Sequence, residues 1–548
     1  MRTNHRNSRS RLPGVVLALT ATMAFLVSAA RAESAAGLSP LRAQRIANQN
    51  VTSFPAQAND HFAWSLATGD FNGDGRDELA TGIPDDDGPT TAVVTDAGGL
   101  IVSQYFPATG LDPVKFVRQS AGLDAPEAGD RFSGGGLVRV GMLASCDFNN
   151  DGFDDLAVGI PSEDIGAEDA AGAVQTHYGR AGSFPGFGSE FFTQNTAGIP
   201  GDSEGLDFFG NSLACGDFNG DGYADLAIGV PGERIGFDSA DAGMIDILPG
   251  FSNGLASDSA YLIDQDASGV GGAAEAYDFF AWSLAVGNFD GDAYDDLAVG
   301  IIGEDDVGAV QIFFGSASGL NGARDRFLYD EDLGGTREAN DYFGEVLVTG
   351  DFNGDGYDDL AIGVPREEAG TTGGDVDSGE VKVAYGAPGG FDLLLSKRFT
   401  QDVMAGGETS QANDNFGAAL AVGDFNRDGR DDLAIGAPGE GIATAGGQDG
   451  HVTVMLGKPL GLDRLAARGI IAGSNGIPGN VNEHDKNFGR SLAAGDFDGD
   501  GHDDLAIGAP FETADGLGDA GAQTILYGSL FADGFESVDL NFWSSQVP

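Results

Sequence analysis

Apolar and polar positions in this chain fall into a pattern that recurs about every 70 residues. In its fifth occurrence an apolar stretch, Phe343 to Thr349, leads into acids, amides and glycines and then into the unbroken apolar run Leu360 to Val364. An alternating stretch, Gly379 to Tyr385, and a more polar one, Lys397 to Asp402, complete the unit. Short runs of this kind, bounded by Gly, Asp and Pro, read as four strands per unit. The third strand has counterparts at Gly172 to Tyr178, Gly308 to Phe314 and Gly450 to Leu456, and the fourth at Lys115 to Gln119 and Tyr261 to Gln265. Four short strands per unit, repeated radially, predict an all-β fold built of propeller blades.

The polar stretch between the first two strands carries the chemistry. It occurs seven times, with position one at Asp70, Asp147, Asp217, Asn288, Asp351, Asp424 and Asp496. Position three is Asn72, Asn149, Asn219, Asp290, Asn353, Asn426 and Asp498, and position five is Asp74, Asp151, Asp221, Asp292, Asp355, Asp428 and Asp500. A further carboxylate stands at position nine: Glu78, Asp155, Asp225, Asp296, Asp359, Asp432 and Asp504. Position seven (Arg76, Phe153, Tyr223, Tyr294, Tyr357, Arg430, His502) varies, as expected where only the backbone carbonyl is a ligand. Oxygen ligands at alternating spacing suit a hard cation, and outside a cell that cation is Ca²⁺. The third copy reads Tyr223-Ala224-Asp225, so position eight can be lost while position nine is kept. An EF-hand shares this opening but needs a Glu at position twelve. Here position twelve is Thr81, Val158, Ile228, Val299, Ile362, Ile435 or Ile507, inside the apolar strand. Hairpins closed by Asx turns without metal are the bland alternative. Seven loops, each with three to five carboxylates in nine residues, would repel themselves without a cation.

A Phe precedes position one by eight residues in six copies (Phe62, Phe209, Phe280, Phe343, Phe416, Phe488). In the second copy Phe132 precedes Asp147 by fifteen, which marks an insertion of about seven residues. Phe416-Gly417, the acidic loop and Gly436-Ala437-Pro438 together resemble the FG-GAP repeat, as in the head of integrin α subunits. The resemblance spans roughly residues 42 to 528 and implies a seven-bladed β-propeller with Ca²⁺ in the loop between the first two strands of each blade. The first and fourth copies depart from it, with Phe-Ala-Trp (Trp64, Trp282) for Phe-Gly. The fourth also has Asn288 at position one, Ala293 at position six and Ile302 for Pro, which weakens its metal site. The last copy runs to Tyr527 without a fourth strand, whereas Arg42 to Asn50 is a spare one. Gln57-Ala58-Asn59-Asp60-His61-Phe62 after it mirrors Gln411-Ala412-Asn413-Asp414-Asn415-Phe416 after an earlier fourth strand. The ring is thus expected to close by an N-terminal strand in the last blade, removing an open edge.

Met1 to Ala32 reads as a secretory signal peptide: a basic start, an apolar run from Val15 to Ala30, and Ala30-Arg31-Ala32 as the cleavage site. The expected organisation is therefore 1–32 signal peptide, 33–528 propeller, and a tail at 529–548 like those on some exported bacterial proteins. No other stretch is apolar enough to span a bilayer. The net charge of −57 becomes more negative when the arginine-rich leader is removed, which argues against nucleic acid and anionic membranes as partners. An Asp two residues before the blade-opening Phe (Asp60, Asp130, Asp207, Asp278, Asp341, Asp414) and a Glu after the second strand (Glu163, Glu233, Glu304, Glu367, Glu440, Glu512) also repeat. They read as a ligand-facing rim or, more simply, as hydrogen-bonding partners of neighbouring turns. Cys146 and Cys215, in adjacent blades, precede position one by one and two residues. Export permits a disulfide between them, but the register difference points them to opposite faces and weighs against it unless the insertion shifts it.

Catalytic patterns are weak. H-E-x-x-H is absent, and G-x-S-x-G at Gly201 to Gly205 and Gly250 to Gly254 matches chance in a chain with 89 glycines. The expectation is a non-enzymatic, exported Ca²⁺-binding propeller, secreted or on the cell surface, that binds an extracellular protein or glycan. A lectin is the second reading, favoured if aromatics recur at matched blade positions on one face. A polysaccharide-active enzyme is the third.

Overall fold

The apolar runs are continuous because each sheet is covered on both faces by its neighbours. In a computed structural model of the chain, the second strands, such as Asp155–Ile160 and Asp359–Val364, are buried at every residue. The structure describes residues 43–47, 57–87, 97–117, 129–134, 142–182, 184, 188–236, 239–368, 376–404, 409–441, 448–474, 477–479, 485–514 and 516–528. The leader, the tail and the predicted insertion in the second unit, at 135–141, lie outside these residues. No helix among the described residues is long and apolar enough to cross a membrane.

Seven four-stranded antiparallel sheets form the blades of a β-propeller. The fifth blade runs Val346–Gly350, Asp359–Val364, Glu380–Ala387 and Gly390–Phe399 in spatial order. Fourth strands begin earlier than the sequence pattern indicated where the third strand continues into a hairpin: Gly390–Phe399 in this blade and Gly110–Val117 in the first. Asp402, placed at the end of a strand by its polarity, lies instead in a 3-10 turn at Gln401–Val403. The ring closes as the repeat phase required. Ala43–Ala47 pairs antiparallel with Ala522–Leu526, completing the sheet that contains Asp504–Ala509 and Leu492–Gly495.

Contacts between blades explain the repeated motif. Every opening Phe is essentially fully buried. Phe416 bridges Gly379 of the preceding blade, as Phe209 bridges Gly172 and Phe62 bridges Gly521. The glycine after the Phe meets the second-strand glycine of the preceding blade. A Cβ on Gly363 would come within 2.2 Å of the Gly417 carbonyl, so only glycine permits that approach. Because blades stack like the leaves of a turbine, the front of one sheet faces the back of the next. Ala144 and Cys146 of the second blade therefore share a core cluster with Leu213 and Cys215 of the third, across opposite faces of their own strands. Cys146 and Cys215 are joined by a disulfide, with their Cα atoms 6.3 Å apart. The register difference, which weighed against a bridge between these adjacent blades, is in fact the offset that such a bridge requires, because the facing surfaces are the front of one sheet and the back of the next.

Candidate metal centres

Each loop folds around its first carboxylate. In the fifth copy Asp351 Oδ1 accepts from the backbone N–H groups of Gly354 and Asp355, and Oδ2 from Gly356. Asp355 accepts from the N–H of Tyr357 at 3.1 Å. The first, second, third, sixth and seventh loops repeat the contact from position six to position one at 2.7–2.9 Å. Position nine is buried and, in every loop but the first, tied at both oxygens. Asp359 Oδ2 accepts from Phe352 N–H and Oδ1 from Gly386 N–H, at 3.1 and 2.9 Å. Position three reaches the same carboxylate, with Asn426 Nδ2 donating to Asp432 at 3.1 and 3.2 Å. Burial, reinforced by the loop's other carboxylates, pushes Asp155, Asp359 and Asp432 up to about 8 and Asp504 up to about 9.

Positions one, three and nine thus converge. In the seventh loop, where position three is an acid, oxygens of Asp496, Asp498 and Asp504 lie within 4.8 Å of one another. In the first and second loops Glu78 Oε2 and Asn149 Oδ1 are buried without a hydrogen-bond partner. Oxygen donors left over after the loop has satisfied its own N–H groups fit a hard divalent cation. The fourth loop differs beyond Asn288 and Ala293. The Arg324 guanidinium donates to Asp290 at 2.6 Å and stands 3.8 Å from Asp292 and 4.7 Å from the Phe314 ring centre.

Positions seven and eight act between blades. The position-seven side chain lies over the glycine at position four of the preceding loop: Phe153 over Gly73, Tyr294 over Gly220, Tyr357 over Gly291. Its variation is therefore confined to large side chains, a restriction that its assignment as a backbone ligand alone did not anticipate. Position eight is a clasp. Asp154 accepts from Asp70 N–H, Asp295 from Asp217, Asp358 from Asn288, Asp431 from Asp351, Asp503 from Asp424 and Asp77 from Asp496, all at 2.7–2.9 Å. The seventh junction, between blades two and three, has Ala224 in place of the acid, and it is the junction that carries the disulfide.

The repeated Asp and Glu on the opposite face serve the turns. Asp207, Asp278 and Asp414 each accept from the N–H three residues earlier at 2.5–2.6 Å. Glu233, Glu304 and Glu440 accept from Gln194, Gln265 and Gln401 at 2.6–2.8 Å. That face also holds a cavity of about 1000 Å³ between blades five, six, seven and one. Phe208, Phe279 and Tyr342 occupy one matched position there, immediately before the blade-opening Phe.

The FG-GAP repeat family matches residues 62–102, 143–177, 209–248, 343–384, 416–455 and 488–526. The chain is an FG-GAP repeat propeller. Integrin alpha-5 of Xenopus laevis is 35% identical over 43% of this chain, and integrin alpha-PS2 of Drosophila melanogaster 32% over 42%. A phosphatidylinositol-glycan-specific phospholipase D of Rattus norvegicus is 36% identical over 32% of it. The chain spans about a fifth or less of the length of these relatives: 20%, 15% and 19%. Among solved structures, rhamnogalacturonan lyase YesW covers 90% of the chain at 14% identity and a TM-score of 0.40, with 76% of its own chain covered. Six FG-GAP matches against seven expected leave out the fourth blade, whose fold is nevertheless that of the others.

Proposed function

We propose that this FG-GAP propeller is an exported binding module whose loops hold Ca²⁺ and whose opposite face engages an extracellular ligand. The convergence of Asp496, Asp498 and Asp504 supports the metal reading most directly. Positions one, three, five and nine would supply side-chain oxygens, and position seven its carbonyl. The cation would offset the burial of the ninth carboxylate and pin the loop. Its role is structural, since the loops sit at the ends of strands, away from the cavity.

Six loops of this type suit Ca²⁺; in the fourth, Arg324 already supplies the positive charge. Extracellular Ca²⁺ modules bind with Kd of roughly 10⁻⁴ to 10⁻³ M. At about 1 mM Ca²⁺ and a Kd of about 0.1 mM, each site adds roughly 1.4 kcal/mol. Calorimetry of the full chain with millimolar CaCl₂ and with EGTA tests this. A melting temperature lowered by chelation and restored by Ca²⁺ is expected; an identical melt in both overturns it.

A further inference from the structure

The cavity on the face opposite the loops is a concavity that the metal chemistry leaves unused. Building on the binding-module reading above, we infer that it takes an uncharged oligosaccharide of a few rings, held by amide side chains against an aromatic wall.

Three asparagines carry the argument. Asn340, Asn413 and Asn487 line the cavity, and their side chains make no hydrogen bond to another described residue. A primary amide presents donor and acceptor side by side, which matches the neighbouring hydroxyls of a sugar ring. All three have left-handed backbone, with φ of 72°, 67° and 53°, a conformation that asparagine tolerates well. Backbone demand alone does not account for them. The third and fourth blades adopt the same φ at matched positions with Leu206 (72°), Phe208 (58°), Tyr277 (72°) and Phe279 (51°). Two repeat positions are involved: three residues before the opening Phe, Asn340 and Asn413 stand where the third and fourth blades have Leu206 and Tyr277, and one residue before it Asn487 stands where they have Phe208 and Phe279.

Charge, size and rigidity narrow the ligand. A surface of net charge −57 repels anions, while Arg366 and Arg490 in the cavity walls partly balance Asp377, Asp485 and Asp519. Neither ion sign is strongly favoured there. The volume is at the upper end of small-molecule sites, which run about 300–1,000 Å³, and so admits several rings rather than one. Trp64, Tyr342 and Phe511 supply apolar wall for the C–H faces of sugar rings. Guanidinium groups brace two of them: Arg490 lies 5.0 Å from the Trp64 ring and Arg366 4.4 Å from that of Tyr342. Rings fixed before binding lose little freedom on binding. Peptide anchors would prefer Leu206 and Tyr277, which are 54% and 60% exposed, but these belong to the apolar sector outside the cavity.

The test is a glycan microarray carrying neutral and acidic oligosaccharides, probed with the full chain in millimolar Ca²⁺ beside a displayed peptide library. Titration calorimetry then follows the strongest neutral glycan. Retention on neutral glycans is expected. The Asn413→Gly/Asn487→Gly variant, whose glycines accept the left-handed backbone, should bind at least tenfold more weakly while its melting temperature stays within about 2 °C of the parent's, and Leu206→Ala/Tyr277→Ala should bind as the parent does. Binding to a neutral glycan that the asparagine variant leaves intact refutes the site. Binding only to acidic glycans or only to peptides refutes the ligand class and leaves the binding module standing. No capture on either array overturns both readings.

Discussion

Six blade junctions are closed by a carboxylate and one by a disulfide, and the exchange is testable. In the six, the residue before position one is glycine, and the next blade's position-eight Asp fills the space its side chain would need. A Cβ on Gly423 would stand 2.9 Å from Asp503, and one on Gly495 2.6 Å from Asp77. In the second blade that glycine is Cys146, and the facing acid is Ala224. The backbone bond surviving there, Ala224 N–H to the Asp147 carbonyl, is 3.4 Å, longer than the 3.1–3.3 Å of the other six. The cysteine occupies space that the missing acid vacates. A bridge across a separation of 69 residues constrains the unfolded chain by about 4 kcal/mol. A hydrogen bond to a charged carboxylate contributes about 1.5–3 kcal/mol. Replacing the bridge with Cys146→Gly/Cys215→Val should therefore cost about 4 kcal/mol. At about 2.1 cal/mol/K per residue over roughly 490 residues, that lowers the melting temperature by about 4 °C. Adding Ala224→Asp to the same variant rebuilds the clasp and should return about half of the loss. Ala224→Asp alone, against the intact bridge, should destabilise because the acid meets Cys146. Scanning calorimetry in Ca²⁺ reads all three. A triple variant no more stable than the double, or a tolerated Ala224→Asp, would refute the reasoning.

Deleting residues 33–52 removes Ala43–Ala47 and bares the Ala522–Leu526 edge, so light scattering should report association or calorimetry a lower melt. A monomer of parental stability would contradict the closure. Crystals soaked in Mn²⁺ should show no anomalous peak at the fourth loop while filling others; Arg324→Ala with Asn288→Asp should create one there. His451 is fully buried, and desolvation holds its pKa down to about 4 from 6.5. The unfolded chain takes up that proton first, so its share of stability is present above about 6.5 and lost as pH falls towards 4. His451→Met, the residue at the matching place in the third blade (Met244), should flatten this part of the acid profile, and an unchanged profile would count against it.

What the sequence made legible is what repeats within a blade. The Phe, the acidic loop and the apolar strand recur in one phase, and a spare strand at one end answers a missing one at the other. Spacing placed positions one, three, five and nine in one loop because they are local to it. Positions seven and eight were read as a backbone ligand and a spare acid because their partners lie in another blade. Asp154 meets Asp70, and Phe153 meets Gly73, across about 80 residues. The cavity asparagines were half legible: Asn413 recurs with Asn59 in the mirrored segments and Asn340 holds the same place before Phe343, but only the ring brings them together with Asn487, which stands at a different repeat position. The cysteines show where the local argument inverts. Alternation along a strand assigns faces correctly, but in a ring the contact is between the front of one sheet and the back of the next. An odd offset between equivalent strands therefore signals contact between adjacent blades, where in a single sheet it would exclude it. The same rule applies to every pair of neighbouring first strands, and it makes the Ala224 substitution and the two cysteines one event in the chain rather than three.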